Sequence, residues 1–122
     1  MAKRMAVVAG LTLGLASLML PASAAADESG TKGRVLRIRV NTSGSSEHAT
    51  FHGSVTIRLA SGKNQTYLWG GSTCPGQKLD DGQVRLLVGA QRDRGRTWLA
   101  PYYVASEGGD RRCLVGFELI AG

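Results

Sequence analysis

The sequence of 122 residues is poor in the residue types on which many enzymes and metal centres depend. It contains two histidines, two cysteines and nine acidic residues, which is little material for a metal site or an acid–base pair. It has no Gly-x-Ser-x-Gly motif and no glycine-rich phosphate loop, and no apolar run of membrane-spanning length follows the N-terminal segment. We therefore expect a protein that is not an enzyme, without metal or cofactor, and without a membrane span in its mature form.

The N-terminal segment has the three parts of a secretory signal in the usual order. Met1–Arg4 is short and basic, Met5–Leu20 is apolar, and small residues follow as far as Ala26. The apolar stretch is shorter than the roughly 20 residues that a membrane anchor needs, although an uncleaved anchor is the alternative. We predict a signal peptide over residues 1–26, cut after Ala24 or Ala26.

The remaining residues, 27–122, are predicted to form one exported β-rich domain that contains both cysteines, Cys74 and Cys113. Two thiols in a small exported domain indicate one disulfide, and two free buried thiols are the alternative. Neither cysteine has a neighbouring histidine or a second cysteine at the spacing of a zinc site. We expect the domain to reside in an oxidising compartment, either the periplasm or the exterior of the cell.

Alternation of apolar and polar residues predicts a β-rich fold. In the first strand, the apolar side chains of Leu36, Ile38 and Val40 are expected on the buried face, with Arg37 and Arg39 on the other. An irregular start is predicted before this strand, and the last strand is so apolar that we expect it to be buried on both faces. Five strands are predicted in all, over 34–40, 51–60, 65–70, 97–104 and 113–120.

The spacing of apolar residues changes to a helical period between the third and fourth strands. Asp80 and Asp81 at its start and Arg92 near its end complement a helix dipole, so we predict a helix over Leu79–Arg92. The resulting order, β-β-β-α-β-β, is that of a small OB-like barrel of five strands with one helix between strands 3 and 4. An α+β sheet with one covering helix is the alternative.

Arginine dominates the polar side of the predicted sheet. If the first two strands pair, Arg37, Arg39 and Arg58 share one outer face, where guanidinium groups can bind carboxylate, sulfate or phosphate. Tyr67 and Trp69 lie on one face of the third strand and are expected to form a platform on which a sugar ring stacks. A solvated surface for the arginines and core positions for the aromatic rings are the alternatives.

Residues of the helix and of every predicted strand but the first match those of a known family. They are Gly53-x-Val55-x-Ile57, Tyr67, Leu86–Ala90, Pro101-Tyr102-Tyr103 and Leu114-Val115-Gly116-Phe117. On these residues the mature segment resembles the OB-fold B subunits of AB5-type bacterial toxins, of the pertussis and subtilase cytotoxin branch. The resemblance spans roughly residues 33–120, and the polar loop at 41–49 and the Gly-Gly-Ser-Thr-Cys-Pro segment depart from it. It implies glycan binding and a ring of five subunits, but it assigns no sugar-contacting residue.

Together these features predict an exported binding module for an oligosaccharide or another anionic ligand, as a monomer or as a homo-oligomer. One alternative is an envelope structural protein, interaction protein or inhibitor with no small ligand. A binder of polyanions or nucleic acid is a further alternative, with which the basic net charge and the arginine clusters are compatible, although we rank nucleic acid below the other partners. His48 and His52 are expected to be solvated rather than to bind a metal.

Overall fold

The computed structural model describes residues 27–122, so the predicted signal peptide lies outside the described residues. Within this range the chain forms six strands and one helix. A short strand precedes three strands, of which the first two are joined by the long loop 41–52 and the last two by a tight turn; then comes the helix, and two long strands complete the chain. The elements are β1 (Glu28–Ser29), β2 (Gly33–Val40), β3 (Gly53–Leu59), β4 (Asn64–Trp69), α1 (Asp81–Arg92), β5 (Thr97–Ala105) and β6 (Arg112–Ala121).

The five long strands close into a barrel. β3 pairs antiparallel with both β2 and β4, and β5 pairs antiparallel with β6 along its whole length. Two single-residue pairings join the strands β2, β3 and β4 to the pair β5 and β6. Gly33 of β2 lies opposite Leu99 of β5 in antiparallel orientation, and Leu68 of β4 lies opposite Cys113 of β6 in parallel orientation. This is the strand order of an OB-like barrel, with the helix between its third and fourth long strands, so the predicted fold class is confirmed.

Side chains from every long strand and from α1 fill the barrel. Val55 and Ile57 of β3 are fully buried, as their alternation with polar residues predicts. Phe117 of β6 packs against this core, in agreement with its apolar environment in the sequence. The main core consists of Val35, Val55, Ile57, Tyr67, Trp69, Leu87, Ala90, Leu99 and Leu114.

A β-bulge in β2 changes which of its side chains are buried. The pairing with β3 shifts between Val35 and Arg37, so Val35 rather than Leu36 is fully buried opposite Ile57. The predicted buried face of β2 is therefore wrong at Leu36, and Val40 at the strand end is 55% exposed. The extra residue leaves the Leu36 carbonyl without a ladder partner, and the side-chain amide of Gln91 in α1 donates to it at 2.9 Å.

The helix starts where the acidic pair predicts. Asp80 is its N-cap: the carboxylate accepts from the backbone N–H of Gln83 at 2.8 Å, and the Gln83 side chain accepts from the backbone N–H of Asp80 at 2.9 Å. Leu87 and Ala90 are buried on the inner face of α1, which packs mainly on β2. The helix thereby covers the end of the barrel near the β2 bulge.

Two expectations at the ends of the domain are wrong. The segment before β2 is not irregular throughout, because Glu28 and Ser29 pair with Tyr103 and Tyr102 of β5. The last strand, β6, is buried on both faces only around Cys113 and Leu114, and its last four residues are exposed. It extends past the end of β4, so this part of β6 has β5 on one side and no strand on the other.

Candidate functional site

The outer face of β2, β3 and β4 brings the three predicted arginines together. Arg37 lies opposite Thr56, and Arg39 lies opposite Ser54. Arg58 follows on β3 at the other end of the same face, opposite Asn64 of β4. The hydroxyl groups of Thr56 and Thr66 join β3 to β4 at 2.8 Å. We call this surface the arginine face; it consists of Arg37, Arg39, Ser54, Thr56, Arg58, Asn64 and Thr66.

The arginine face is strongly basic because β2, β3 and β4 contain no acidic residue. Arg39 is the most constrained of its cations: its Nε donates to Asn41 Oδ1 at 3.0 Å, and its guanidinium lies 3.8 Å from the Glu47 carboxylate. Arg58 Nε donates to Asn64 Oδ1 at 3.4 Å. Among the described residues, neither Arg37 nor Arg58 forms a salt bridge, so both charges are available to a ligand.

Arg34 is a fourth cation on the same side that the sequence interpretation missed. It lies directly opposite Arg58, where like charges repel. Its guanidinium stacks 3.6 Å above the centre of the Trp98 ring and donates to the Gly122 carbonyl at 3.1 Å. Simple alternation from Arg37 puts Arg34 on the inner face, and only the β2 bulge, which no sequence signal marks, returns it to the outer face.

The predicted aromatic platform is wrong. Tyr67 and Trp69 are 0% and 2% exposed, because their strand face is the inner face of the closed barrel, and a buried ring offers no surface to a sugar. Gly53 lies so close to Trp69 that a side chain there would overlap the indole. Burial raises the pKa of the Tyr67 hydroxyl, while Arg112, which donates to it at 3.2 Å, opposes that rise. Tyr67 and Trp69 therefore stabilise the barrel as core residues.

Three loops meet beside the arginine face, and the predicted disulfide attaches one of them to β6. Cys74 of the loop 70–80 and Cys113 of β6 are bonded, with Cα atoms 5.6 Å apart. They form a second, smaller cluster with Leu68, against which Phe51 and Val104 pack. Backbone hydrogen bonds join the loops 41–52 and 106–111 to the loop 70–80. The loop 70–80 is therefore the one that the disulfide anchors directly, and the other two loops are connected to it by backbone hydrogen bonds.

His48 and His52 lie in the first of these loops, with their rings stacked 4.3 Å apart at an angle of 14°. Imidazole lone pairs lie in the ring plane, so two nearly parallel rings stacked at this distance do not direct their nitrogens at one common metal ion. Desolvation, followed by the charges of His48 and Lys78, lowers the pKa of His52. In residues 27–122 there is no group of three or more histidine, cysteine or acidic side chains able to hold a metal ion.

Within residues 27–122, α1 has 12 residues and falls short of the length that a membrane-spanning helix needs. Comparison of the chain with protein-family models, with curated proteins and with solved structures finds no match. The arginine face is therefore the feature of the molecule that points to a function.

Proposed function

We propose that the protein is an exported, non-enzymatic binding module that holds an acidic oligosaccharide or glycoconjugate on the arginine face. One observation supports this proposal above the others: Arg37, Arg39 and Arg58 project from one sheet face on which no strand contributes an acid. A planar guanidinium binds a carboxylate or sulfate through two parallel hydrogen bonds. The strand pairing spaces the three groups along a surface that a ligand of several residues can follow.

The small polar residues between the arginines suit a ligand rich in hydroxyl groups. Asn64 is exposed and offers an amide at the end of the face, and half-buried Thr66 offers a hydroxyl, whereas Ser54 and Thr56 are only 7% and 9% exposed and lie between the arginines without extending towards a ligand. Burial of Tyr67 and Trp69 removes stacking as a source of affinity, so charge has to supply it. For this reason we propose an acidic glycan, with uronic acid, sialic acid or sulfate groups, and not a neutral one.

A glycan array tests the proposal with the disulfide-bonded protein, residues 27–122. We expect discrete hits on acidic glycans that persist at raised salt, because a shaped site adds directed hydrogen bonds to simple charge attraction. In the triple variant Arg37→Gln/Arg39→Gln/Arg58→Gln, affinity for the best hit should fall at least about tenfold, or roughly 1.4 kcal/mol. A circular dichroism spectrum establishes that the variant is folded.

The matched control is Arg92→Gln/Arg94→Gln/Arg96→Gln, which removes the same charge from exposed residues at and beyond the end of α1. It should bind as the parent protein does. Equal loss in both triple variants, or binding to every polyanion that disappears at raised salt, would replace the proposal with general polyanion attraction. A blank array would contradict it and favour an interaction protein or inhibitor.

The five-subunit ring implied by the toxin resemblance stays a prediction, which sedimentation of the same sample tests.

A further inference from the structure

An open groove separates the second half of α1 from the end of β6, on a different part of the surface from the arginine face. It arises because β6 extends past β4 while α1 packs mainly on β2, which leaves a space of about 700 Å³ between helix and strand. The helix contributes Arg85, Leu86, Gly89 and Ala90 to the lining and the strand end contributes Leu119–Gly122, with Asp93, Arg96 and Thr97 at one end. This volume is in the range of sites that bind small organic ligands.

The groove concentrates the exposed apolar surface of the domain. Among residues 27–122, four large aliphatic side chains are more than a third exposed, and three of them, Leu86, Leu119 and Ile120, line the groove. Leu86, in the middle of α1, is 52% exposed, whereas the next residue, Leu87, is fully buried in the core. A ligand with an apolar chain would remove the side chains of Leu86 and Leu119 from water together. Ile120 borders the groove through its backbone, because it follows Leu119 in β6 and pairs with Trp98 on the other face of the strand.

Glycine on the helix keeps the groove open. Gly89 faces it, and a Cβ built at this position has no atom within 4 Å. Glycine in a helix costs roughly 1 kcal/mol relative to alanine, and no turn or close backbone approach requires it here. Alanine or leucine at this position would improve the helix but fill the groove.

The rim of the groove is basic. Arg96 Nε donates to Asp93 Oδ1 at 3.2 Å, and the Thr97 hydroxyl donates to Asp93 Oδ2 at 3.2 Å, so the one acidic side chain of the lining is already engaged. Arg85 is exposed and forms no salt bridge within the described range. An anionic group at this rim would meet an unopposed guanidinium.

We propose that this groove binds a free single-chain anionic amphiphile of the fatty-acid class. The alkyl chain lies on Leu86 and Leu119, over Gly89 and Ala90, and the carboxylate binds Arg85. The exposed aliphatic side chains of the groove favour a ligand with an alkyl chain. The charge of Arg85, with which no acidic side chain pairs within the described range, favours an acid over a neutral lipid. The groove is concave and bounded by a helix and a strand, so it accommodates one chain and not a bilayer surface.

Isothermal titration with dodecanoate, kept below the concentration at which it forms micelles, tests the proposal on the disulfide-bonded protein. We expect one molecule to bind per chain. Gly89→Leu should weaken binding at least about tenfold, because its side chain occupies the groove, whereas Gly82→Leu on the same helix, outside the groove, should leave binding unchanged. Arg85→Gln should weaken binding of dodecanoate several-fold but leave binding of dodecanol, which has no charge, unchanged.

Four results would overturn the proposal. They are no heat of binding with the folded parent protein, equal affinity in Gly89→Leu, adsorption to anionic phosphatidylglycerol vesicles without binding of free dodecanoate, and self-association that Gly89→Leu abolishes. The last would assign the groove to a second copy of the chain. The arginine-face triple variant should bind dodecanoate normally, so a failure of the glycan proposal leaves this one standing and the reverse also holds.

Discussion

Leu68 lies directly opposite Cys113, at the single position where β4 and β6 pair in parallel and the barrel closes. After β4, Gly70 and Gly71 adopt φ angles of +77° and +69°, and the chain reverses so that Cys74 forms a bridge pair with Gly70. The reversal returns Cys74 to β6, where it bonds to Cys113. The disulfide therefore fastens one of the two single-residue seams of the barrel.

Removal of this disulfide should destabilise the domain strongly. The bond closes a separation of 39 residues, for which the chain-entropy treatment gives about 4 kcal/mol. We expect urea unfolding of Cys74→Ala/Cys113→Ala to show a loss of this size relative to the oxidised parent protein. The parent protein measured in excess reductant is the control and should unfold at nearly the same urea concentration as the variant.

The chain reversal after β4 should depend on glycine at position 71. A Cβ there would lie 2.5 Å from the carbonyl carbon and oxygen of Thr50, in addition to the strain of a positive φ. Gly71→Ala should therefore cost about 3 kcal/mol in unfolding free energy. Gly76→Ala is the control, because Gly76 has a φ of +80° with no atom within 4 Å of a Cβ, and it should cost only about 1 kcal/mol. Equal costs would show that the backbone contact is unimportant.

Gln91 should matter more than its position near the end of a helix suggests. Its amide donates to the carbonyl that the β2 bulge leaves without a partner. Gln91→Ala should lower the unfolding free energy by about 1–2 kcal/mol, whereas Arg92→Ala, an exposed neighbour, should change it by less than about 0.5 kcal/mol. Chemical denaturation of both variants measures the difference, and similar values would deny the bulge contact a role in stability.

His52 should titrate below the ordinary histidine value of 6.5, chiefly because burial disfavours its charged form and secondly because His48 and Lys78 are near. A lowered pKa in the folded protein means that the unfolded chain takes up the proton first. The stability that His52 contributes is thus present above pH 6.5 and is lost as the pH falls through the lowered pKa.

Titration of the His52 ring protons by NMR measures this pKa directly. In His48→Ala it should rise part of the way towards its ordinary value, since one repelling charge is gone while desolvation and Lys78 remain. In Lys63→Ala, which removes a charge from the β3–β4 turn, the His52 pKa should equal that of the parent protein. A His52 pKa at or above the ordinary value in the parent protein would contradict the stacked arrangement.

Much of the barrel follows from local sequence patterns. Alternation in β3, the acidic residues at Asp80 and the two cysteines predict a strand, a helix start and a disulfide that the structure has. These features depend on residues close in sequence or on chemistry that few alternatives share. They also place Arg37, Arg39 and Arg58 on one outer face, because that placement needs only correct pairing of β2 with β3.

The remaining features depend on long-range geometry. Alternation correctly predicts that Tyr67 and Trp69 share one face of β4, but it does not tell whether that face lies inside or outside the barrel. The closure of the barrel between β4 and β6 places that face inside. The β2 bulge has no residue signature, so Arg34 was not predicted on the outer face and Leu36 was predicted to be buried. The apolar sequence of β6 predicts burial, yet β4 ends too early to cover its second half.

The cysteine count has a further consequence for how the molecule matures. With only Cys74 and Cys113 in the sequence, a single chain has one possible intramolecular pairing and no mispaired isomers. In the native fold the pairing of β6 with β4 brings the two residues together, so completion of the barrel favours formation of their bond. Oxidative maturation therefore requires an electron acceptor but no disulfide isomerase, and reoxidation should follow acquisition of tertiary structure.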